Sequence, residues 1–462
     1  MENSLARSFK FSSLIKFTIP SIVMLVFISL YTIVDGVFVS RFVNTDALSA
    51  VNIVYPFLNI VIAVAVMLAT GGSAVIAKKL GENKSREAKE NFTLIVLIGF
   101  ILGILISLIG FIFSNKILNL LGSTDELYKY CIDYFSALLI FAPAFIVNLL
   151  FQYLTITAGK PKVGLTLTII GGLTNMILDY IFIVPMNMGI SGAAIATGMG
   201  NLIPAVLGTI YFMKKKSIIH FVKPRFDLKV ILKACSNGSS EMVTNLSTGV
   251  TTMLFNLAMM KLLGADGVAA ITIVLYGEFL INSAYIGFSS GVAPIISYNY
   301  GNDNKSELKK IIKYSIRFIL MSSVTLFIIA ILFAPNIVGI FSPKGTSVFD
   351  IGYKGFSLFS LSFLFTGINI FSSAMFTAFS NGKISAAVSF LRTFVFIISG
   401  ILILPRFLGV NGVWLAVPIA EVLSMIISVT FIYRYRNVYG YGKETETHKE
   451  NKEKSYKDIK EF

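Results

Sequence analysis

A dozen apolar stretches, each long enough to cross a bilayer and separated by short charged or turn-rich breaks, leave this chain only one solvent for most of its surface. They run near residues 14–40, 46–77, 91–113, 130–157, 162–184, 190–213, 236–262, 267–298, 310–334, 352–380, 385–404 and 411–434. Crossing the hydrocarbon layer takes roughly 20 apolar residues per helix, and a helix satisfies its own backbone polar groups in lipid. Of the 462 residues 55% are hydrophobic and 14% charged, which leaves no room for a large soluble domain. The expectation is an all-α membrane protein of twelve transmembrane helices. Several stretches exceed the minimum length and imply tilt or kinks, for which Pro20, Pro56, Pro143, Pro294 and Pro418 are the candidate positions. The polar start from Met1 to Lys10 lacks the apolar core and cleavage site of a removable signal peptide, so the first stretch is expected to be retained.

The formal net charge is +15, a balance that suggests nucleic acid in a soluble protein. Here the basic residues cluster in particular loops, so they are read as setting orientation, and no nucleic-acid partner is expected. One cluster, Lys78, Lys79, Lys84, Arg86 and Lys89, follows the second span; another, from Lys214 through Lys216 to Lys233, follows the sixth. Cytoplasmic loops retain Lys and Arg, which places both termini in the cytoplasm. The two cysteines, Cys131 and Cys235, fall near opposite membrane faces, so no disulfide is expected between them.

Sliding the chain on itself by about 220 residues reveals an internal repeat. RFVNTDALSAVNIVYPF from Arg41 lies over KLLGADGVAAITIVLYG from Lys261, and GENKSREAKE from Gly81 over GNDNKSELKK from Gly301. IVPMNMGISGAAIA from Ile183 lies over ILPRFLGVNGVWLA from Ile403. Six helices per half is an even number, so the halves share one orientation and form two pseudo-symmetric six-helix bundles about an axis along the membrane normal. The expected organisation is a cytoplasmic N-terminus over 1–13, a bundle over 14–213, a basic linker over 214–235, a second bundle over 236–436 and a charged cytoplasmic tail over 437–462. Two parallel bundles suit alternating access, although a purely structural duplication has the same pattern.

Ionisable side chains deep in a span cost at least about 2.5 kcal/mol on insertion scales, so each needs a partner, water or a function. Asp35 and Asp179 lie about five residues from the outer ends of the first and fifth spans, and Thr197 about seven residues into the sixth. At about 1.5 Å per residue all three share a depth. Tyr31 and Asn175 each precede an aspartate by four and so lie on its helix face. Two carboxylates, an amide oxygen and two hydroxyls at one level fit a small cation such as Na⁺ or a shared proton; the alternative is a hydrogen-bonded structural patch with unrelated acids facing headgroups. At the repeat offset Asp35, Asp179 and Thr197 match Phe255, Ser399 and Val417. A device required for packing should recur in both halves, so the asymmetry favours a coupling-ion role. Beyond Na⁺ at Asp35 and Asp179, no metal site is expected.

The second half carries Glu278, Arg392 and Glu421. Arg392 and Glu421 overlap in depth and are expected to form a structural ion pair; Glu278 has no evident basic partner and is a candidate for attracting a cationic substrate, against a simple hydrogen-bonded role. Glu241, near the cytoplasmic end of the seventh span, is expected to reach water. No phosphate loop and no HExxH occur, and His220 and His448 both fall in predicted cytoplasmic segments, so no catalytic site and no cofactor are expected.

The opening segment with Pro20, the stretch SLYTIVDGVFVSRF, the paired segments above, APIISYNYG, NMILDYIFI and GISGAAIATGMGN together resemble the prokaryotic branch of the multidrug and toxic compound extrusion family, over nearly all of residues 10 to 436. The resemblance implies a V-shaped pair of six-helix bundles that exports cationic, amphipathic compounds, small organic cations such as drugs and dyes, by antiport with Na⁺ or H⁺; the expected setting is the cell membrane and the expected state a monomer. It places the cation site at Tyr31, Asp35, Asn175, Asp179 and Thr197, with a helix bend at Pro20. A related group flips lipid-linked sugars or other lipids; its anionic substrates call for cavities rich in Arg and Lys, whereas the conspicuous buried charges here are acidic.

Overall fold

The computed structural model describes residues 4–43, 45–215 and 217–442; Lys216, and the charged tail from Lys443 onward with His448, lie outside the described residues. Among those described every regular element is helical. The first half comprises α1 (Phe11–Phe42), α2 (Thr45–Gly81), α3 (Ser85–Ile112), the short α4 (Ser114–Leu120), α5 (Asp125–Thr157), α6 (Pro161–Ile183) and α7 (Gly189–Met213). The second comprises α8 (Leu228–Gly301), α9 (Lys305–Phe341), α10 (Ser347–Phe359), α11 (Phe363–Ala378), α12 (Gly382–Phe390), α13 (Ile398–Leu408) and α14 (Val410–Arg434). A 3-10 turn joins α10 to α11, and a π-helical stretch, Leu391–Ile397, joins α12 to α13.

Among the described residues eleven continuous helical segments are long and apolar enough to cross a membrane. The 74-residue α8 departs from helical geometry at Gly264, with φ 65° and ψ −150°, and so supplies two crossings, giving twelve. The break expected between residues 262 and 267 is thus a single left-handed residue, which glycine accepts without a Cβ clash. The linker is shorter than the expected 214–235: Asp227 caps α8 by accepting from the Lys229 backbone N–H at 2.9 Å, so residues 228–235 are helical.

The repeat extends to the turns. Left-handed residues recur at matching places in the two halves: Asn83 with Asp303, Gly122 with Gly345, Gly159 with Ser380, and Gly189 with Gly409. Within each half the helices pack on one another, and the halves meet where α2 and α1 cross α8. Side chains along α2 from Val61 to Gly81 are mostly buried, whereas those from Val51 to Ile60 are mostly half-buried or exposed, and α8 shows the same contrast between Ser283–Gly301 and the turns before it. The bundles are therefore closed together on the side of the basic loops and part toward the other side, as a V. Backbone contact makes the seam: a β-carbon on Gly71 would overlap the Ala234 carbonyl, one on Gly238 the Met67 carbonyl, one on Gly81 the Tyr298 carbonyl and one on Gly301 the Lys78 carbonyl. Outward-facing side chains such as Leu320, Val324, Ile328 and Leu332 of α9 form an apolar belt for lipid.

Both terminal segments are packed. Ser4 Oγ donates to the Gly159 carbonyl between α5 and α6 at 2.9 Å, while Ser8 Oγ and the Phe9 backbone N–H donate to Glu307 of α9 at 2.9 and 2.6 Å. Residues 4–9 thus strap one bundle to the other across the closed face. At the other end residues 437–442, the start of the expected charged cytoplasmic tail, lie against the second bundle. Tyr439 stacks on Phe379 with ring centroids 4.2 Å apart, and its hydroxyl accepts from Asn381 Nδ2 at 2.6 Å. Glu307→Ala strands the buried Phe9 N–H, so it is expected to cost about 1–3 kcal/mol and to speed proteolysis before Phe11. Unchanged melting and cleavage would show that Glu307 does not hold the strap.

Candidate functional site

The cluster expected from the sequence assembles inside the first bundle. α1 brings Asp35 and Tyr31, α6 brings Asn175 and Asp179, and α7 brings Thr197. The Asp35 carboxyl interacts with the Asp179 carboxyl and the Asn175 side chain, and Asn175 Nδ2 lies 3.5 Å from Thr197 Oγ1. Close packing of α1 on α6 depends on Gly172, where a β-carbon would press on the rings of Phe27 and Tyr31. Pro20 is buried within α1, which is continuous from Phe11 to Phe42.

Asp179 is fully buried. Among the described residues neither of its carboxylate oxygens, nor Asp35 Oδ1, has a hydrogen-bond partner. Three orphaned acceptors on two adjacent acids are costly in a closed protein interior; what fits them is positive charge, a proton or a small cation, for which carboxylate, amide and hydroxyl oxygens are hard donors.

Two groups were not singled out from the sequence. Tyr134 of α5 is nearly buried and within electrostatic reach of both Asp35 and Asp179; one tyrosine among 19 carries no signal without its neighbours. Beyond Thr197 the polar line continues, as Asn201 Nδ2 donates to the Thr197 carbonyl at 2.9 Å and Asn148 Nδ2 donates to Asn201 Oδ1 at 3.0 Å. Thr197 and Asn201 also border a small crevice of about 20 Å³ walled by Phe57, Val61 and Phe141.

In the second bundle Arg392 Nε and Nη2 both lie 2.7 Å from Glu421 Oε1, and Asn369 Nδ2 donates to Glu421 Oε2 at 2.6 Å. The π-helical stretch carries Arg392. Glu278 is not without partners: it accepts from Asn282 Nδ2 at 3.2 Å and lies within electrostatic reach of Arg392 and Glu421. Glu241, expected in water, is half-buried and borders a cavity between the bundles, because α2 and α5 cover the face of α8 that depth alone left unassigned. Cys131 and Cys235 are free thiols.

Comparison with known proteins follows the same two-part outline. The MatE family model matches residues 20–181 and again residues 242–402, one match per bundle. Multidrug export protein MepA of Staphylococcus saprophyticus is 24% identical over 444 residues, covering 93% of this chain and 95% of that protein. MepA of Staphylococcus aureus is 24% identical over 442 residues, covering 92% and 94%. A crystal structure described as MATE in the straight conformation superposes with a TM-score of 0.90 at 21% identity, covering 96% of this chain and 100% of that one. An outward-facing multidrug resistance MATE transporter superposes at 0.88 and 21%, covering 95% and 98%. With both bundles matched by the family model, this chain belongs to the MatE family, the multidrug and toxic compound extrusion transporters, which are membrane carriers and not enzymes.

Proposed function

We propose that this protein is a multidrug exporter of a bacterial cell membrane that expels small organic cations in exchange for Na⁺ or H⁺ bound at Asp35 and Asp179. The observation that carries this reading is the pair of adjacent carboxyls with three oxygens unpartnered among the described residues, present in one half of a duplicated fold and replaced by Phe255 and Ser399 in the other. The names of the MepA relatives support drug export, and the basic loops support cytoplasmic termini. On that orientation the bundles are closed to the cytoplasm and open outward.

The carboxyl pair converts ion binding into work through differential affinity. A cation that neutralises Asp35 and Asp179 favours the arrangement of α1, α6 and α7 that brings them together, and a drug in the cleft favours the arrangement in which they part; exchange requires that the two ligands stabilise different states. Lipid-linked sugar transport is disfavoured by the charge inventory, since among the described residues the only buried basic side chain, Arg392, is committed to Glu421. The test is efflux of a fluorescent cationic dye from liposomes holding the purified protein, with Na⁺ and H⁺ gradients imposed separately. Export driven by one gradient identifies the ion; dye retention under both gradients rejects cation-coupled drug export.

A further inference from the structure

Another acid in the membrane, away from the Asp35–Asp179 pair, has no hydrogen-bonded or ionic partner among the described residues. Glu241 of α8 lines a small cavity of about 30 Å³ between the bundles, bordered by Thr70 and Ser73 of α2, Tyr153 of α5, Ser289 of α8 and Thr377 of α11. Among the described residues no hydrogen bond or ion pair reaches its carboxylate; the charged or titratable groups that face it are Tyr153 and Arg392, and Arg392 is held by Glu421. Ser289 Oγ is buried and also without a partner. The cavity is flanked by the backbone contacts of Gly71 with Ala234 and of Gly81 with Tyr298, so it closes when the seam closes. At the repeat offset Glu241 matches Ser21, which shows that the seam can be built without an acid.

We propose that Glu241 and the hydroxyls around it form a second monovalent-cation site, at the seam itself, whose occupant neutralises the carboxylate and favours closure on the basic-loop side. An isolated carboxylate trapped between closing bundles is costly; one positive charge, as an alkali ion or a proton, removes that cost, and the surrounding hydroxyls are the hard oxygens an alkali ion takes. When the seam opens, water solvates the carboxylate and the cation leaves. Occupancy and closure therefore promote each other. The inference uses the alternating-access reading for the motion, but the site itself is independent of the Asp35–Asp179 pair.

The test follows opening of the seam in the full chain in nanodiscs, with Ala74→Cys as a reporter on the cavity wall and the native cysteines replaced by serine. Alkylation by N-ethylmaleimide is timed against Na⁺, K⁺ and pH, with N-methylglucamine balancing charge. The expected result is alkylation slowed about tenfold, equivalent to about 1.4 kcal/mol, by an alkali ion or by protons, whichever occupies the site. Glu241→Gln is expected to be slow under all conditions, and Glu241→Asp to keep a cation-dependent melting temperature that Glu241→Gln lacks. The same response is expected in Asp35→Asn, Asp179→Asn protein, which separates this site from the first. A response that persists in Glu241→Gln, or none in the parent, overturns the proposal and leaves the role of Asp35 and Asp179 standing.

Discussion

Replacement of Asp179 by asparagine is expected to give a folded protein, more resistant to heat in the absence of coupling ion, that no longer exports dye against a gradient. Both effects follow from one arrangement. Asp179 is fully buried beside Asp35, and among the described residues both of its oxygens and Asp35 Oδ1 are unpartnered. An asparagine removes one charge and supplies an N–H donor to its neighbour, so relief of the orphaned acceptors is expected to stabilise by about 1–3 kcal/mol. The same change removes the charge that a cation must find, and gradient-driven export is expected to fall about 100-fold, a barrier increase of about 2.7 kcal/mol. Stability gained where function is lost is the signature of a site kept strained for use. A structural patch predicts the opposite sign for melting. Reduced melting with export intact would refute the assignment.

The parts of this molecule that could be read from the chain are those whose cause is one-dimensional. Apolar length gives the spans, and a fixed offset gives the two bundles; the structure adds that the aligned turns share left-handed residues at Asn83 and Asp303. Asp35, Asp179 and Asn175 were legible because depth along a helix and four-residue spacing place them at one level. What depends on azimuth was not. Glu241 was assigned to water from its depth, but the face it occupies is covered by the other bundle. Tyr134 reaches the carboxyl pair from a helix with no charge to mark it. Residues 228–235 read as loop because of Lys229 and Lys233, yet an Asp227 cap starts α8 there and its exposed face carries them, with Leu228 and Leu232 also exposed. The strap from Ser4 to Phe9 was hidden because its partner, Glu307, lies roughly 300 residues away and reads as an ordinary first-turn acid.

Truncation of Glu421 is expected to be the most destabilising single change in the second bundle. Its carboxylate is fully buried, takes Arg392 Nε and Nη2 at 2.7 Å and accepts from Asn369 at 2.6 Å. Glu421→Ala leaves a buried guanidinium without its hydrogen-bonded carboxylate, and breaking a buried pair this way costs about 3–5 kcal/mol. Replacing both partners by apolar residues of similar volume, as in Arg392→Met with Glu421→Leu, removes the stranded charge and is expected to restore most of that loss, because a pair in a low-dielectric interior returns little beyond its own desolvation. The pair would then be present for another reason. Arg392 is carried by the π-helical stretch and lies within electrostatic reach of Glu278, so it moderates the negative charge of that acid. The double variant is therefore expected to melt near the parent temperature while export changes in substrate preference or rate, read by melting in detergent alongside efflux of dyes of differing charge. A double variant as unstable as Glu421→Ala would assign the pair to stability alone.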